Sequence, residues 1–215
     1  RMLSDRLRRE GLYRSSPDVA GRWRGCAGLR YYPGLMGIYL SSARIARRGA
    51  YTPEQYALSS HRILKWVERL GGEVEATGLH HLAGDRPAVI ISNHMSSLET
   101  GLLPGLILPF REVGFVIKTS LLTYPVFGHI MRSVPSVAVS RVNAREDLRQ
   151  VLEQGARLLE GGVNVVIFPQ ATRSVAFDQA GFNTLGVKLA ARAGAPVIPL
   201  ALKTNFQENG VRFKD

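Results

Sequence analysis

Six short runs of strand-like sequence, separated by helical patterns, occupy residues 73–202 and constrain the fold most strongly. These runs cover residues 73–79, 88–92, 113–118, 136–140, 163–168 and 197–202. Strands that alternate with helices favour a parallel sheet, because a crossover helix carries the chain back to the edge where the previous strand began. The sequence therefore predicts an α/β fold with a mixed, largely parallel sheet covered by helices on both faces.

Helical patterns fill the intervals between these runs. Thr52 and Gln55 form a capping box with Pro53 at the first helical position, which predicts a helix that ends at residues 71–72. Residues 143–160 give the clearest helical pattern, with apolar side chains along one face. Residues 120–131 predict a helix interrupted at Pro125, and residues 183–192 predict another helix.

Positive charge is concentrated in the N-terminal third of the chain. The net charge is +11, and residues 1–70 contain 14 Arg and Lys against 5 Asp and Glu, or +9. Arginines there are interleaved with Trp23, Tyr31, Tyr32 and Tyr39, a mixture that suits a membrane interface. Nucleic acid and a solvated basic face are the alternative interpretations of this charge.

The predicted domain organisation follows from that charge. Residues 1–70 are predicted to form a basic helical membrane-associating segment, and residues 71–215 an α/β domain. No segment has the ~20 apolar residues that a spanning helix needs, so residues 23–48 are expected to lie on the membrane surface or insert partly. The chain begins at Arg1 rather than Met and stops shortly after the run at 197–202, so we expect a piece of a longer protein, truncated at the C-terminus.

Several common kinds of site are disfavoured. A single cysteine, Cys26, excludes an internal disulfide framework and a multi-cysteine zinc site. His80 and His81 have no ligand-spaced partner, so no metal is expected. The Gly-x-Ser-x-Gly elbow of α/β-hydrolases is absent, and residues 181–188 fail the phosphate-loop pattern because Val187 separates glycine from lysine.

His94 and Glu99 follow the buried run at 88–92. Positions five apart lie roughly 140° apart around a regular helix, so two such side chains cannot face each other on it. His94 must therefore lie in the turn before the helix, with Glu99 reaching back from the first helical turns. A histidine and a carboxylate in that arrangement can act as a general base and its orienting partner.

Other polar residues follow neighbouring strands. Arg173 can bind a phosphate through its planar guanidinium, and Thr172 and Ser174 add hydroxyl donors. Lys118 and Arg141 stand at the ends of two further predicted strands. A base and several cations at one edge of a sheet suit an anionic substrate with a reactive hydroxyl.

Four ordered blocks of sequence resemble the glycerophospholipid (lysophospholipid) acyltransferase family. They are His94 with Glu99, Arg141 at the close of a strand, Phe-Pro-Gln-Ala-Thr-Arg-Ser at 168–174, and Ala-Pro-Val-Ile-Pro at 195–199. The resemblance covers roughly residues 75–203. It implies transfer of a fatty acyl group from acyl-CoA or acyl-carrier protein to the free hydroxyl of lysophosphatidic acid, in phospholipid biosynthesis.

The resemblance also implies roles for individual residues. His94 would remove the hydroxyl proton and Glu99 would hold the imidazole, without a serine nucleophile. The expected substrate-binding residues are Asn93, Ser96, Ser97, Lys118, Arg141, Gln170, Ala171, Thr172 and Arg173. We expect no cofactor beyond the acyl donor, partners limited to donor, lysophospholipid and membrane lipid, no nucleic acid, and a peripheral or monotopic location on the cytoplasmic face.

Three residues depart from the family pattern, and the two at positions 170 and 171 leave alternatives open. Glu99 replaces the usual aspartate and keeps its charge. Gln170 and Ala171 replace the usual Glu-Gly, which removes a negative charge beside the expected phosphate site. The alternatives are an acyltransferase with another lysolipid acceptor, and a noncatalytic basic protein that binds membranes or nucleic acid.

Overall fold

The fold comes from a computed structural model of the chain, which describes residues 7–16, 27–170, 172–174 and 179–207. The chain divides into two compact units. The first contains Arg1–Gly84, Gly101–Phe110 and Tyr124–Val134, and the second contains Asp85–Thr100, Arg111–Thr123 and Pro135–Asp215. The boundary at residue 70 and the membrane-associating role of residues 1–70 stay predictions.

From residue 89 onward, strands and helices alternate along the chain as the sequence predicts. The helices are α1 (Ala27–Arg47), α2 (Pro53–Arg69), α3 (Leu98–Ile107), α4 (Phe127–Met131), α5 (Ala144–Glu160) and α6 (Leu185–Ala193). The strands are β1 (Tyr13–Arg14), β2 (Glu75–Ala76), β3 (Val89–Ser92), β4 (Val113–Lys118), β5 (Ser136–Val139), β6 (Asn164–Ile167) and β7 (Val197–Leu200). Short 3-10 helices cover Leu79–Ala83 and Thr119–Thr123.

The second unit is built on a five-stranded sheet in the order β5-β4-β6-β3-β7. Every neighbouring pair in this sheet is parallel. All four residues of β6 are buried, so both faces of the central strand are covered. The predicted α/β fold is confirmed, and the sheet is wholly parallel rather than mixed.

Helices α5 and α6 pack against each other and against this sheet. Val151 of α5 and Leu189 of α6 are fully buried with Val89, Val165 and neighbouring strand residues. Asn143 caps α5 by accepting a hydrogen bond from the Glu146 amide, at 3.2 Å. The core therefore lies between the sheet and the apolar faces of two amphipathic helices.

The first unit contains a helix pair and a small antiparallel ribbon. Helices α1 and α2 pack together, and the Trp66 indole donates to the Tyr31 carbonyl at 3.2 Å. A side chain at Gly34 would collide with the Trp66 ring, so glycine permits this close approach. Thr52 caps α2 and Pro53 starts it, as the capping box predicts.

One sequence expectation differs from the structure in extent. In the predicted strand at 73–79, only Glu75 and Ala76 pair, and their partners are Arg14 and Tyr13 rather than the main sheet. Gly78 adopts a left-handed conformation with φ 72° and ends the extended backbone. The predicted helix at 120–131 is interrupted around Pro125 as expected, with a 3-10 helix before it and α4 after it.

Helix α1 carries an exposed apolar stripe. Leu29, Tyr32, Met36 and Leu40 are between 49% and 83% exposed, and their spacing of three and four residues places them on one face. The helix continues through Pro33. Among the described residues, no helix combines the length and apolar character needed to cross a membrane.

A buried carboxylate ties the N-terminal ribbon to α2. Glu68 is 1% exposed and accepts hydrogen bonds from the Tyr13 hydroxyl and the Lys65 ammonium, each at 2.7 Å. Burial raises the pKa of this carboxyl, but the hydrogen bonds from Lys65 and Tyr13 outweigh it and hold the pKa below the ordinary value of 4.5. Glu68 therefore stabilises the fold in its ionised form.

We expect Glu68→Gln to destabilise the protein by about 2 kcal/mol near neutral pH, because it removes hydrogen bonds to a buried charge. A folded-state pKa below the unfolded value gives stability that is present above about pH 4.5 and is lost as pH falls through the folded pKa. Urea unfolding across this range should show that the gap in unfolding free energy between variant and wild type becomes smaller as the pH falls. The exposed Glu160→Gln serves as control, and a gap that does not change with pH would contradict this assignment.

Candidate active site at the carboxyl edge of the sheet

His94 lies in the turn between β3 and α3. Its Nδ1 atom is 2.8 Å from Oε2 of Glu99, which lies in the first turn of α3. This arrangement confirms the geometric prediction that His94 precedes the helix and that Glu99 reaches back to it. The imidazole is therefore held at the point where a buried parallel strand ends, the usual place for a ligand site in such sheets.

The Glu99 carboxylate accepts several hydrogen bonds besides the one from His94. The amides of Met95 and Ser96 donate to Oε1 at 3.0 and 2.9 Å, and the Thr204 hydroxyl donates at 2.9 Å. The Glu99 side chain is 3% exposed, so each donor compensates a buried charge. A carboxylate only accepts, so Nδ1 of His94 carries a hydrogen and Nε2 is left to accept a proton.

The start of α3 explains why the sequence folds this way. Glu99 bonds the Ser96 amide, as the acidic residue of a capping box does, and the Ser96 hydroxyl accepts from the Leu98 amide at 3.2 Å. The same carboxylate thus satisfies unpaired amides at the helix start and orients His94. Ser96 is buried, and its hydroxyl supports the turn from inside.

Residues 168–174, which follow β6, hold His94 at three places. Oε1 of Gln170 accepts from the His94 amide at 2.7 Å, and the Ser174 amide donates to the His94 carbonyl at 2.9 Å. The Phe168 ring stacks on the imidazole with a centroid distance of 4.2 Å and an angle of 19° between planes. Strand β6 neighbours β3 in the sheet, which brings this segment beside His94.

The segment after β7 holds the same turn from the other side. Asn93 exchanges two hydrogen bonds with the backbone of Leu202, at 2.8 and 2.7 Å. The Ser97 hydroxyl accepts from the Gln207 side chain at 3.0 Å. The Asn93 amide and the Ser97 hydroxyl thus both bond to residues that follow β7, and their expected contacts with substrate stay predictions.

Thr204 and the stacking of Phe168 are contributions that sequence reasoning missed. Both residues follow strands that neighbour β3, on opposite sides of it. The rule that parallel strands end at one edge could have suggested Thr204, but only if the strand order had been known. The Pro196 carbonyl accepts from the Val89 amide at 2.9 Å, so the block at 195–199 positions β7 beside β3.

The expected cation-bearing residues occupy different strand ends. Arg173 immediately precedes Ser174, whose amide bonds His94. Lys118 is the last residue of β4, and Arg141 follows β5 at the edge of the sheet. Thr172 is exposed, and Ala171 lies outside the described residues.

Arg141 has a backbone that L-residues rarely adopt, with φ 60°. The Asp147 carboxylate accepts from the amides of Ser140 and Arg141, each at 2.7 Å, and from the Ser140 hydroxyl at 3.0 Å. Desolvation raises the pKa of Asp147, but these hydrogen bonds outweigh it and lower that pKa overall. The ionised Asp147 therefore holds the turn after β5.

The fold and the His94–Glu99 pair define an α/β protein with a hydrogen-bonded histidine and buried carboxylate at the carboxyl edge of a parallel sheet. No group of three or more metal-ligating side chains occurs among the described residues. Residues 73–203 match the family model described as Acyltransferase. The chain belongs to the acyltransferase family.

Individual relatives agree with this assignment. The chain is 34% identical over 142 residues to the 1-acyl-sn-glycerol-3-phosphate acyltransferase of Pseudomonas aeruginosa, which covers 65% of this chain and 54% of that protein. It is 37% identical over 118 residues to a protein of the same name from Chlamydomonas reinhardtii, covering 55% of this chain and 34% of that protein. The chain thus spans about half the length of the first relative and a third of the second.

A solved structure has the same fold. The crystal structure of the 1-acyl-sn-glycerophosphate (LPA) acyltransferase from Thermotoga maritima matches with a TM-score of 0.61 at 20% identity. The match covers 82% of this chain and 72% of that one. At this identity, the likeness supports the fold alone.

We expect Thr204→Val to destabilise the protein by about 2 kcal/mol, because the isosteric side chain leaves the buried Glu99 carboxylate with one hydrogen bond fewer. Thr204→Ser keeps the hydroxyl and should unfold close to wild type in a urea titration. A stable Thr204→Val beside a destabilised Thr204→Ser would mean that the methyl group, rather than the hydrogen bond to Glu99, is the stabilising part of the side chain.

Proposed function

We propose that this protein transfers a fatty acyl group from a thioester donor, acyl-CoA or acyl-carrier protein, to the free hydroxyl of lysophosphatidic acid. The single observation that carries the proposal is the hydrogen bond from His94 to the buried Glu99 carboxylate at 2.8 Å, within a domain of the acyltransferase family. The names of the relatives from Pseudomonas aeruginosa and Chlamydomonas reinhardtii support the choice of acceptor.

The proposed chemistry needs one base and no covalent enzyme intermediate. Nε2 of His94 takes the hydroxyl proton as the acceptor oxygen forms a bond to the thioester carbon. The carbon–sulfur bond then breaks, and the imidazolium returns the proton to the departing sulfur, which gives an ester and a free thiol. Glu99 stabilises the imidazolium and keeps its Nδ1 hydrogen in place. No cofactor other than the donor enters this reaction.

Arg173 is the proposed principal ligand of the acceptor phosphate. It adjoins Ser174, which bonds the His94 carbonyl, so its backbone lies close to the base. Strands β4 and β5 are two and three positions from β3, or about 10 and 14 Å at the usual strand spacing. Lys118 and Arg141 must therefore span a longer distance to reach the same phosphate.

The decisive experiment measures phosphatidic acid formed from acyl-CoA and lysophosphatidic acid. We expect His94→Ala to lower kcat by about 10²- to 10⁴-fold, because it removes the general base. His81→Ala, an exposed histidine in the first unit, is the matched control and should retain activity. Equal rates for wild type and His94→Ala would overturn the mechanism.

A panel of other lysophospholipids, tested with both acyl donors, separates the remaining alternatives. Faster turnover of another lysolipid would replace the proposed acceptor. No product with any acceptor or donor would overturn the enzymatic proposal and favour a noncatalytic binding protein.

We also propose that the stripe of Leu29, Tyr32, Met36 and Leu40 docks the protein on an anionic membrane surface. Exposed apolar side chains on one helix face can enter the interface, while arginines contribute about 1 kcal/mol each near anionic lipid. Arg30, Arg44, Arg47 and Arg48 lie on or directly after α1.

Sedimentation with vesicles containing phosphatidylglycerol tests the docking proposal. We expect the triple change Leu29→Ser, Met36→Ser and Leu40→Ser to reduce binding at least tenfold, because it removes the exposed apolar surface. Val187→Ser changes an exposed aliphatic residue on α6 and should bind as wild type does. Unchanged binding of the triple variant would show that another surface meets the membrane.

A further inference from the structure

Gln170 and Ser174, in the segment at 168–174 that follows β6, form hydrogen bonds with the backbone of His94 on both sides of the residue. Gln170 accepts from the His94 amide at 2.7 Å, and the Ser174 amide donates to the His94 carbonyl at 2.9 Å. Phe168 covers one face of the imidazole at 4.2 Å. The position of the His94 ring therefore depends on this segment as well as on Glu99.

Gln170 makes its contact with His94 through its side chain. It is 8% exposed, and its side-chain oxygen is directed at the His94 amide. A neutral amide oxygen and a carboxylate oxygen can both accept that hydrogen bond, so the contact does not require a charge. The replacement of the family's usual glutamate by Gln170 keeps the acceptor atom that the contact uses.

We propose that Gln170 is a positioning residue for His94 rather than a ligand of the acceptor phosphate. This inference rests on the proposed acyl transfer and refines it. Under this inference, Gln170 and the family's usual glutamate support His94 through the same acceptor oxygen. The change from glutamate to glutamine then does not identify a different acceptor lipid. Side chains that can face the phosphate, Arg173 foremost, then determine which lysolipid binds.

The physical consequence of losing the bond is a displaced base. Without the Gln170 acceptor, the half-buried His94 amide loses its partner and the turn before α3 must shift to find another. A misplacement of about 1 Å at a reacting group can reduce a rate about 100-fold. Binding of the acceptor phosphate, which involves other side chains, should change little.

Steady-state kinetics with lysophosphatidic acid as the varied substrate distinguish positioning from binding. We expect Gln170→Met, similar in size but without the acceptor oxygen, to lower kcat about 10- to 100-fold with KM for the acceptor within twofold of wild type. Gln170→Glu keeps the acceptor oxygen and should retain kcat within about threefold, with KM within about twofold of wild type.

An effect on KM rather than on kcat would overturn the inference. If Gln170 binds the phosphate, Gln170→Met raises KM at nearly unchanged kcat, and Gln170→Glu raises it at least fivefold by repulsion. If Gln170→Met fails to fold, the kinetics of Gln170→Glu still decide the question. A KM for the acceptor that is at least fivefold larger than in wild type contradicts positioning, and an unchanged KM supports it.

Hydrogen exchange at the His94 amide tests the contact without reference to activity. We expect exchange to accelerate at least tenfold in Gln170→Met and to stay near the wild-type rate in Gln170→Glu. Equal protection of this amide in wild type and Gln170→Met would refute the positioning role. An inactive wild type would instead contradict the proposed function, and the exchange measurement would still decide whether Gln170 holds His94.

Discussion

The buried carboxylate of Glu99 is the group on which the site depends. Nearly removed from water, it is stabilised by the His94 ring, by the amides of Met95 and Ser96, and by the Thr204 hydroxyl. These donors come from the turn before α3 and from the segment after β7. A buried charge needs all its partners, so the local fold of both segments is coupled to the orientation of the His94 imidazole.

The order of strands in the sheet decides which segments can reach that imidazole. Strand β3 lies between β6 and β7, although about 70 and 100 residues separate these strands from it in the chain. The segments that leave β6 and β7 therefore flank His94, whereas Lys118 and Arg141 leave strands that lie farther away. Two segments therefore contact the turn that contains His94, and the residues at the ends of β4 and β5 lie farther from it.

How far sequence reasoning succeeds depends on whether a feature is local. The spacing of His94 and Glu99 excludes a shared helix face, and this local constraint predicted the turn correctly. The contact from Thr204 could not be predicted, because it requires knowing that β7 pairs with β3. The strand expected at 73–79 was too long for a different reason, since Gly78 turns the backbone where alternation alone suggests continued extension.

Gln170 shows why composition at a site can mislead. As a residue type it differs from glutamate by one charge, and a phosphate site expected nearby directs attention to that charge. The observed contact is a hydrogen bond to a backbone amide, for which the two side chains are equivalent acceptors. The oxygen that accepts from the His94 amide is present in both side chains, so the change from glutamate to Gln170 leaves this contact in place. The same reasoning applies to Glu99, whose extra methylene relative to aspartate matters through where its oxygens lie, on the amides of Met95 and Ser96.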